Sequence, residues 1–258
     1  MPLTWPWRRR KKALVDFSHL VWDIHSHVVP GVDDGAKSVE EALEMLENMA
    51  RLGYRGMVVT PHIMADLYPN TRAELEPAFA KLQEAVATSP LTMKLSLAAE
   101  YHLDQEFLEL IQRDELLSIP CQMGGNPHRL VLMEFGFHQA PPEDMVKEAC
   151  FQLQTLGYTP LLAHCERYPY LHDDASLLDM WRERGGWMSV NAASLAGAYG
   201  PETQAMAESC MRKGWVAFLC SDAHGMRHVR ALDSLRANEH VAKWMNSGSP
   251  MHLGLGEH

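Results

Sequence analysis

Seven short apolar runs punctuate the chain, at Val21–Ile24, Gly56–Thr60, Leu95–Ala99, Leu130–Met133, Thr159–Ala163, Met188–Asn191 and Val216–Cys220. Each has the length of a β-strand and ends at polar residues. Longer segments with helical spacing lie between them. In the first, Ser38 with Glu41 three residues on has the form of an N-cap and capping box. Ala42, Met45, Leu46 and Met49 then follow at helical spacing, and Gly53 ends the segment. Further helices are predicted from Pro142 to Leu156, stopping at Gly157, and from Pro201 to Lys213, stopping at Gly214. Pro77 falls inside the segment that follows Thr71, so that helix is expected to be kinked or to start later than its cap.

A repeated strand–helix pattern of this length favours a closed parallel barrel or a doubly wound sheet. The polar residues decide between them. His25 and His27, His62, Glu100, Glu134, His164, Asn191, and Asp222 with His224 all fall at or just past the C-terminal ends of the seven predicted strands. In a barrel those ends meet at one face, where active sites of this architecture are built. An open sheet would string them along a line too long for one site. The expected fold is therefore α/β, a distorted (β/α)7 TIM-like barrel, as one domain over residues 21–258 behind a basic leader at 1–20.

Composition fits this picture: 258 residues, 47% hydrophobic and 22% charged, as in ordinary soluble globular proteins. No apolar run approaches the roughly 20 residues of a membrane-spanning helix. The start, MPLTWPWRRRKK, lacks the apolar core of a signal peptide, so a cytoplasmic location is expected. The formal net charge of −10 includes five positive residues at 8–12, which leaves −15 on the remainder. An acidic body argues against nucleic-acid binding, which needs basic surface against phosphates. The basic start, with Trp5 and Trp7, reads as a disordered solubilising leader or as a peripheral contact with an anionic membrane. Five cysteines without a C-x-x-C pair read as reduced intracellular thiols.

The polar set has the chemistry of a metal centre. In DIHSHVVPGVDDG, His25 and His27 are one residue apart on a strand, so both imidazoles point to one side. Asp34 follows within a short loop. With His62, Glu100, Glu134, His164, Asp222 and His224 this makes nine candidate ligands. Imidazole and carboxylate without thiolate suit Mn²⁺, Fe²⁺ or catalytic Zn²⁺ rather than a structural zinc site. Nine side chains exceed the needs of one ion, so two or three ions are expected. Clustered ions serve phosphate-ester hydrolysis by lowering the pKa of a bridging water and neutralising attacking and leaving oxygens. A phosphoryl group also needs a positive clamp: Arg167 is well placed for it, with Arg227 and Arg230 as looser candidates. Cysteine-dependent phosphatase chemistry is excluded, because no cysteine has an arginine six residues on. A G-x-S-x-G elbow, a P-loop and a dinucleotide Gly-rich fingerprint are absent as well.

DIHSHVVPGVDDGAKS, VVTPH, AAEYH, LMEF, PLLAHCERY and SDAHG together resemble the bacterial PHP-domain (polymerase and histidinol phosphatase) tyrosine-protein phosphatases of capsule and exopolysaccharide loci, the CpsB/CapC type. The similarity runs from about Asp23 to Leu235, and PGVDDGAKS is its most specific part. It implies a trinuclear, usually manganese-dependent centre on the nine ligands, with Arg167 of H-x-E-R-Y at the phosphate. It also implies a phosphotyrosine protein as substrate, the tyrosine-rich tail of a bacterial tyrosine kinase that controls polysaccharide export. Gly225 stands where the family often has Asn after the last motif histidine, and Arg227 or Arg230 could fill the role of its later arginine. His224 or a metal-bound water could supply the proton to the leaving phenol, whose pKa of about 10 makes the demand modest. Two other functions fit the same residues: a small-molecule phosphatase, such as one acting on histidinol phosphate, and a non-catalytic scaffold that binds a kinase tail.

Overall fold

In a computed structural model that describes residues 15–123 and 126–247, each of the seven apolar runs contributes a strand. In chain order the described residues form β1 (Trp22–Asp23), α1 (Val39–Leu52), β2 (Gly56–Val59), β3 (His62–Ile63), α2 (Arg72–Ala87), β4 (Lys94–Leu97), β5 (Glu100–His102), α3 (Gln105–Arg113), β6 (Ile119–Met123), β7 (Asn126–Glu134), α4 (Glu143–Thr155), β8 (Thr159–Leu162), α5 (Tyr170–Asp173), α6 (Ser176–Glu183), β9 (Trp187–Asn191), α7 (Ala192–Leu195), α8 (Pro201–Arg212), β10 (Phe218–Cys220), α9 (Met226–Ser234) and α10 (Glu239–Asn246). Five basic residues, Trp5 and Trp7, with the membrane contact expected of them, lie outside the described residues. Residues 15–20, which the sequence assigns to the leader, instead pack into the body: Val15, Phe17 and Leu20 are buried, and the Val15 N–H bonds the Arg236 carbonyl.

The sheet curls as expected. β1 pairs in parallel with β2, and β2 with β4. After a two-residue break the second strand resumes as β3 and the third as β5, and from β3 the sheet continues through β5, β7, β8 and β9 to β10, all in parallel. The first and last strands meet along a seam at the Ser26–Ala223 bridge, where Asp222 N–H bonds His25 O at 2.9 Å and His27 N–H bonds Ala223 O at 3.0 Å. Parallel strands covered on both faces are apolar throughout, and all four residues of β2 are buried.

Two layers of core follow. Inside the curl lie Ile24, Val58, Ala98, Leu132, Leu161 and Cys220, among others, and the helices cover the outside. One element has no counterpart in the predicted pattern. β6 runs antiparallel to the start of β7, and its Ile119 and Cys121 join the inner cluster. The wall is thus distorted where β7 leaves β4 behind and takes β6 as partner.

Helix ends follow local chemistry. Ser38 caps α1 by accepting from Glu41 N–H, while the Glu41 carboxylate accepts from Lys37 N–H rather than closing a capping box on Ser38. Gly53, at φ 111°, stops α1 in the left-handed region that glycine tolerates. α2 begins directly at its Thr71 cap and runs through Pro77, so it does not start late. The carbonyl that Pro77 deprives of a helical N–H belongs to Ala73, which is exposed.

Candidate metal centre

The curl delivers the expected side chains to one mouth. Strand alternation turns His25 and His27 inward, both wholly buried, while Ser26 between them points away and donates to Val58 O at 3.1 Å. His62 opens β3, Glu100 opens β5 and Glu134 closes β7. His164 and Asp222 each sit two residues beyond a strand, at φ 32° and 46°. These left-handed backbones cost about 1–3 kcal/mol each and cluster where function holds them. Here they turn both side chains back into the mouth.

Eight of the nine candidate ligands form three overlapping groups, each with ligand atoms inside 4.8 Å of one another: His25, His27, Glu100 and Asp222; His27, Asp34, His62 and His224; and His62, Glu100 and Glu134. The ninth, His164, places Nε2 at 3.0 Å from Glu100 Oε1 and 3.6 Å from Glu134 Oε2. Asn191 also reaches the site, where its Nδ2 donates to Asp222 Oδ2 at 2.6 Å.

Proton positions test whether these atoms suit cations. His27 Nδ1 lies 2.8 Å from Asp33 Oδ2, so in the neutral ring that a metal ion requires the proton sits on Nδ1 and Nε2 presents a lone pair. That lone pair faces His25 Nε2 at 3.2 Å, Glu100 Oε2 at 3.3 Å and Asp222 Oδ1 at 3.4 Å. His224 repeats the pattern: Nδ1 meets the Asp222 carbonyl at 3.0 Å, and Nε2 faces Asp34 Oδ1 at 3.4 Å. Glu100 Oε2 and Asp222 Oδ1 are buried and make no hydrogen bond. Acceptors aimed at acceptors need positive charge between them, and an imidazole–carboxylate set supplies it best from divalent ions.

Without ions the charges lean on one another. Burial opposes ionisation of Glu100 and Asp222, yet His25 and the neighbouring imidazoles hold both carboxylates well below their usual range. Burial, then the charges of Glu100 and Asp222, push Glu134 well up. Burial pulls His27 down, but Asp33, Asp222 and Glu100 outweigh it and hold the ring well above its usual value.

Asp33 escaped the sequence reading, which singled out its neighbour Asp34. It is buried and accepts from His27 Nδ1, from Gly35 N–H at 2.9 Å and from His62 N–H at 3.1 Å, whereas the Asp34 side chain is 53% exposed. Gly35 is required for this turn, because a Cβ there would lie 1.9 Å from the His27 carbonyl oxygen. Asp33→Asn should weaken metal affinity about 10–100-fold by loosening the His27 tautomer. Titration against a chelator checks it, and unchanged affinity would free His27 of Asp33.

Glu166 was also missed. It is wholly buried; Oε1 accepts from Ser194 Oγ at 2.5 Å and Asn191 N–H at 2.9 Å, and Oε2 has no partner. Burial pushes its carboxyl up to about 7 from 4.5, so the folded chain holds a proton that the unfolded chain releases between those values. Stability contributed by that proton is full below the unfolded value and lost as pH rises through the folded one. Glu166→Gln should flatten the fall in stability between pH 5 and 8 by about 2–3 kcal/mol. Urea unfolding of metal-stripped protein at the two pH values measures it, and parallel falls in both proteins would count against the assignment.

The arginines separate. Arg167 lines a cavity of about 130 Å³ at the mouth, together with Asp34, His62, Glu134, His164 and His224. Its Nη1 donates to Asp222 Oδ2 at 3.1 Å, and its guanidinium lies over the rings of Phe137 at 4.7 Å and Tyr199 at 4.2 Å. Arg227 also lines the cavity; Arg230 is exposed and does not. Glu100, Asp222, Phe137, Tyr199 and His228 complete the lining, and no local sequence signal marks the last three.

A family model described as capsular polysaccharide synthesis, CpsB/CapC, matches residues 21–253. The chain is 28% identical over 205 residues to the tyrosine-protein phosphatase YwqE of Bacillus subtilis (strain 168), covering 80% of this chain and 78% of that protein. It is 28% identical over 204 residues to the putative tyrosine-protein phosphatase CapC of Staphylococcus aureus, covering 79% and 77%. Among solved structures, a chain described under the crystal structures of YwqE from Bacillus subtilis and CpsB from Streptococcus pneumoniae, unique metal-dependent tyrosine phosphatases, superposes with a TM-score of 0.73 at 23% identity, covering 90% of this chain and 96% of that one. A histidinol phosphate phosphatase from Lactococcus lactis, complexed with zinc, L-histidinol and phosphate, gives 0.53 at 12% identity over 90% and 95%. Both structures share the fold. No helix among the described residues is long and apolar enough to cross a membrane.

Proposed function

The chain belongs to the CpsB/CapC family of capsular polysaccharide synthesis, and from that premise we propose that it is a metal-dependent tyrosine-protein phosphatase. Its substrate in this reading is phosphotyrosine on the tail of a bacterial tyrosine kinase, and its ions are manganese. The observation that carries the reading is the set of buried acceptor atoms facing one another beside a partly free arginine. The relatives' names supply the phosphotyrosine.

The residues that would hold ions are His25, His27, Asp34, His62, Glu100, Glu134, His164, Asp222 and His224. Divalent ions bound there would lower the pKa of water and neutralise charge on the attacking and leaving oxygens. Arg167 spends one N–H on Asp222 and keeps its remaining donors for phosphoryl oxygens. Asp33 fixes the ring of His27. His224 serves as a ligand rather than an acid, because its proton is on Nδ1, turned toward the Asp222 carbonyl. The acidic surround sets charge against a bare phosphate ester, so Arg167 and the ions together admit it.

The test is phosphate release from a phosphotyrosine peptide and from histidinol phosphate, side by side, with and without added Mn²⁺, on protein of measured metal content. Metal-stimulated turnover of the peptide is the expected result. Preference for histidinol phosphate would sink the protein-phosphatase reading, and no turnover of either would leave the scaffold.

A further inference from the structure

His228 and Tyr199 join the proposed phosphate clamp to the ligand-bearing turn. His228 is buried on α9, and its Nδ1 accepts from the backbone N–H of His224 at 2.9 Å. A backbone N–H can only donate, so a neutral His228 carries its proton on Nε2. That Nε2 lies 3.3 Å from the Tyr199 hydroxyl oxygen, which therefore accepts. The Tyr199 ring in turn lies 4.2 Å from the Arg167 guanidinium carbon, and Arg167 closes the circuit on Asp222. Arg227 Nε stands 3.2 Å from the same Nε2, donor against donor, so His228 gives it no anchor.

The circuit runs from His224 through His228, Tyr199 and Arg167 to Asp222, two residues from where it began. Arg167 has many rotamers and a single carboxylate to hold it. Stacking on Tyr199 restricts the guanidinium plane, and the fixed hydroxyl restricts Tyr199. We propose that Tyr199 and His228 are positioning residues which aim Arg167 at the phosphate. This rests on the reading of Arg167 as a phosphate contact.

A double-mutant cycle on metal-loaded enzyme tests it, with the inhibition constant of inorganic phosphate as readout and metal content and thermal midpoint measured alongside. Tyr199→Ala should weaken phosphate inhibition about tenfold, and His228→Ala about three- to tenfold, at unchanged metal content. Tyr199→Phe, which keeps the ring but loses the hydroxyl that meets His228, should cost about as much as His228→Ala, about three- to tenfold. In an Arg167→Ala background, Tyr199→Ala should add less than about twofold, because the group it aims is gone. Equal losses in both backgrounds, or losses that track metal content, would overturn the relay. Should the parent enzyme release no phosphate from phosphotyrosine, the functional reading fails instead, and the two failures stay distinct.

Discussion

Replacing His25 and His27 by alanine should bring metal-stimulated phosphate release to background and lower bound metal together with it. Both rings are wholly buried, their Nε2 atoms are 3.2 Å apart, and His27 belongs to two of the three ligand groups. Loss of the pair therefore halves one group and takes one ligand from a second. The ions are asked for several kcal/mol of transition-state charge stabilisation, so the expected fall in kcat is on the order of 10³-fold or more. Each single substitution should cost nearly as much as the pair, because ligands of one centre act as a unit. Metal analysis, circular dichroism and turnover of a phosphotyrosine peptide decide it. Full metal content with full activity in the double variant would place the chemistry elsewhere.

Arg167→Ala should produce the opposite dissociation, with metal retained and turnover lost. Asp222 Oδ2 keeps its 2.6 Å bond from Asn191 after the arginine is removed, so the ligand stays in place. What disappears is a charged donor set aimed at developing charge, a loss of about 10²–10³-fold in kcat/KM. Arg167→Lys should recover little, since a compact ammonium replaces a planar fork stacked between two rings. Kinetics on protein of known metal content separate the outcomes. A parallel loss of metal would make Arg167 a support for Asp222 instead of a substrate contact.

What was legible in the sequence is what short-range chemistry determines. Apolar runs closed by polar residues marked the seven strands and placed the ligands at their ends. Caps marked the helices: Ser38 opens α1, and Gly157 and Gly214, at φ 77° and 68°, follow α4 and α8. β6 was hidden because Pro120 breaks its pattern, and among the described residues it pairs with β7 alone. Residues 15–20 were mistaken for leader because the residues that anchor them, Val15, Phe17 and Leu20, show no periodicity. Asp33 was displaced by Asp34, since neither neighbour reveals which will face the imidazole across the turn. Tyr199 and His228 stand 29 positions apart, and their meeting is set by how α7 and α9 pack.

The seam between first and last strands has a consequence for the order in which the molecule becomes an enzyme. His25 and Ser221, which touch across it, are 196 positions apart. At about 5–20 residues per second, a ribosome finishes the second some 10–40 s after the first. Throughout that interval the HxH pair lacks Asp222 and His224, the two side chains that the last strand brings to it. On the proposed ligand set, a chain interrupted before Asp222 and His224 would lack two of its nine ligands. Assembly order is thereby written into the topology: Asp222 and His224 are the last of the nine candidate ligands to be made.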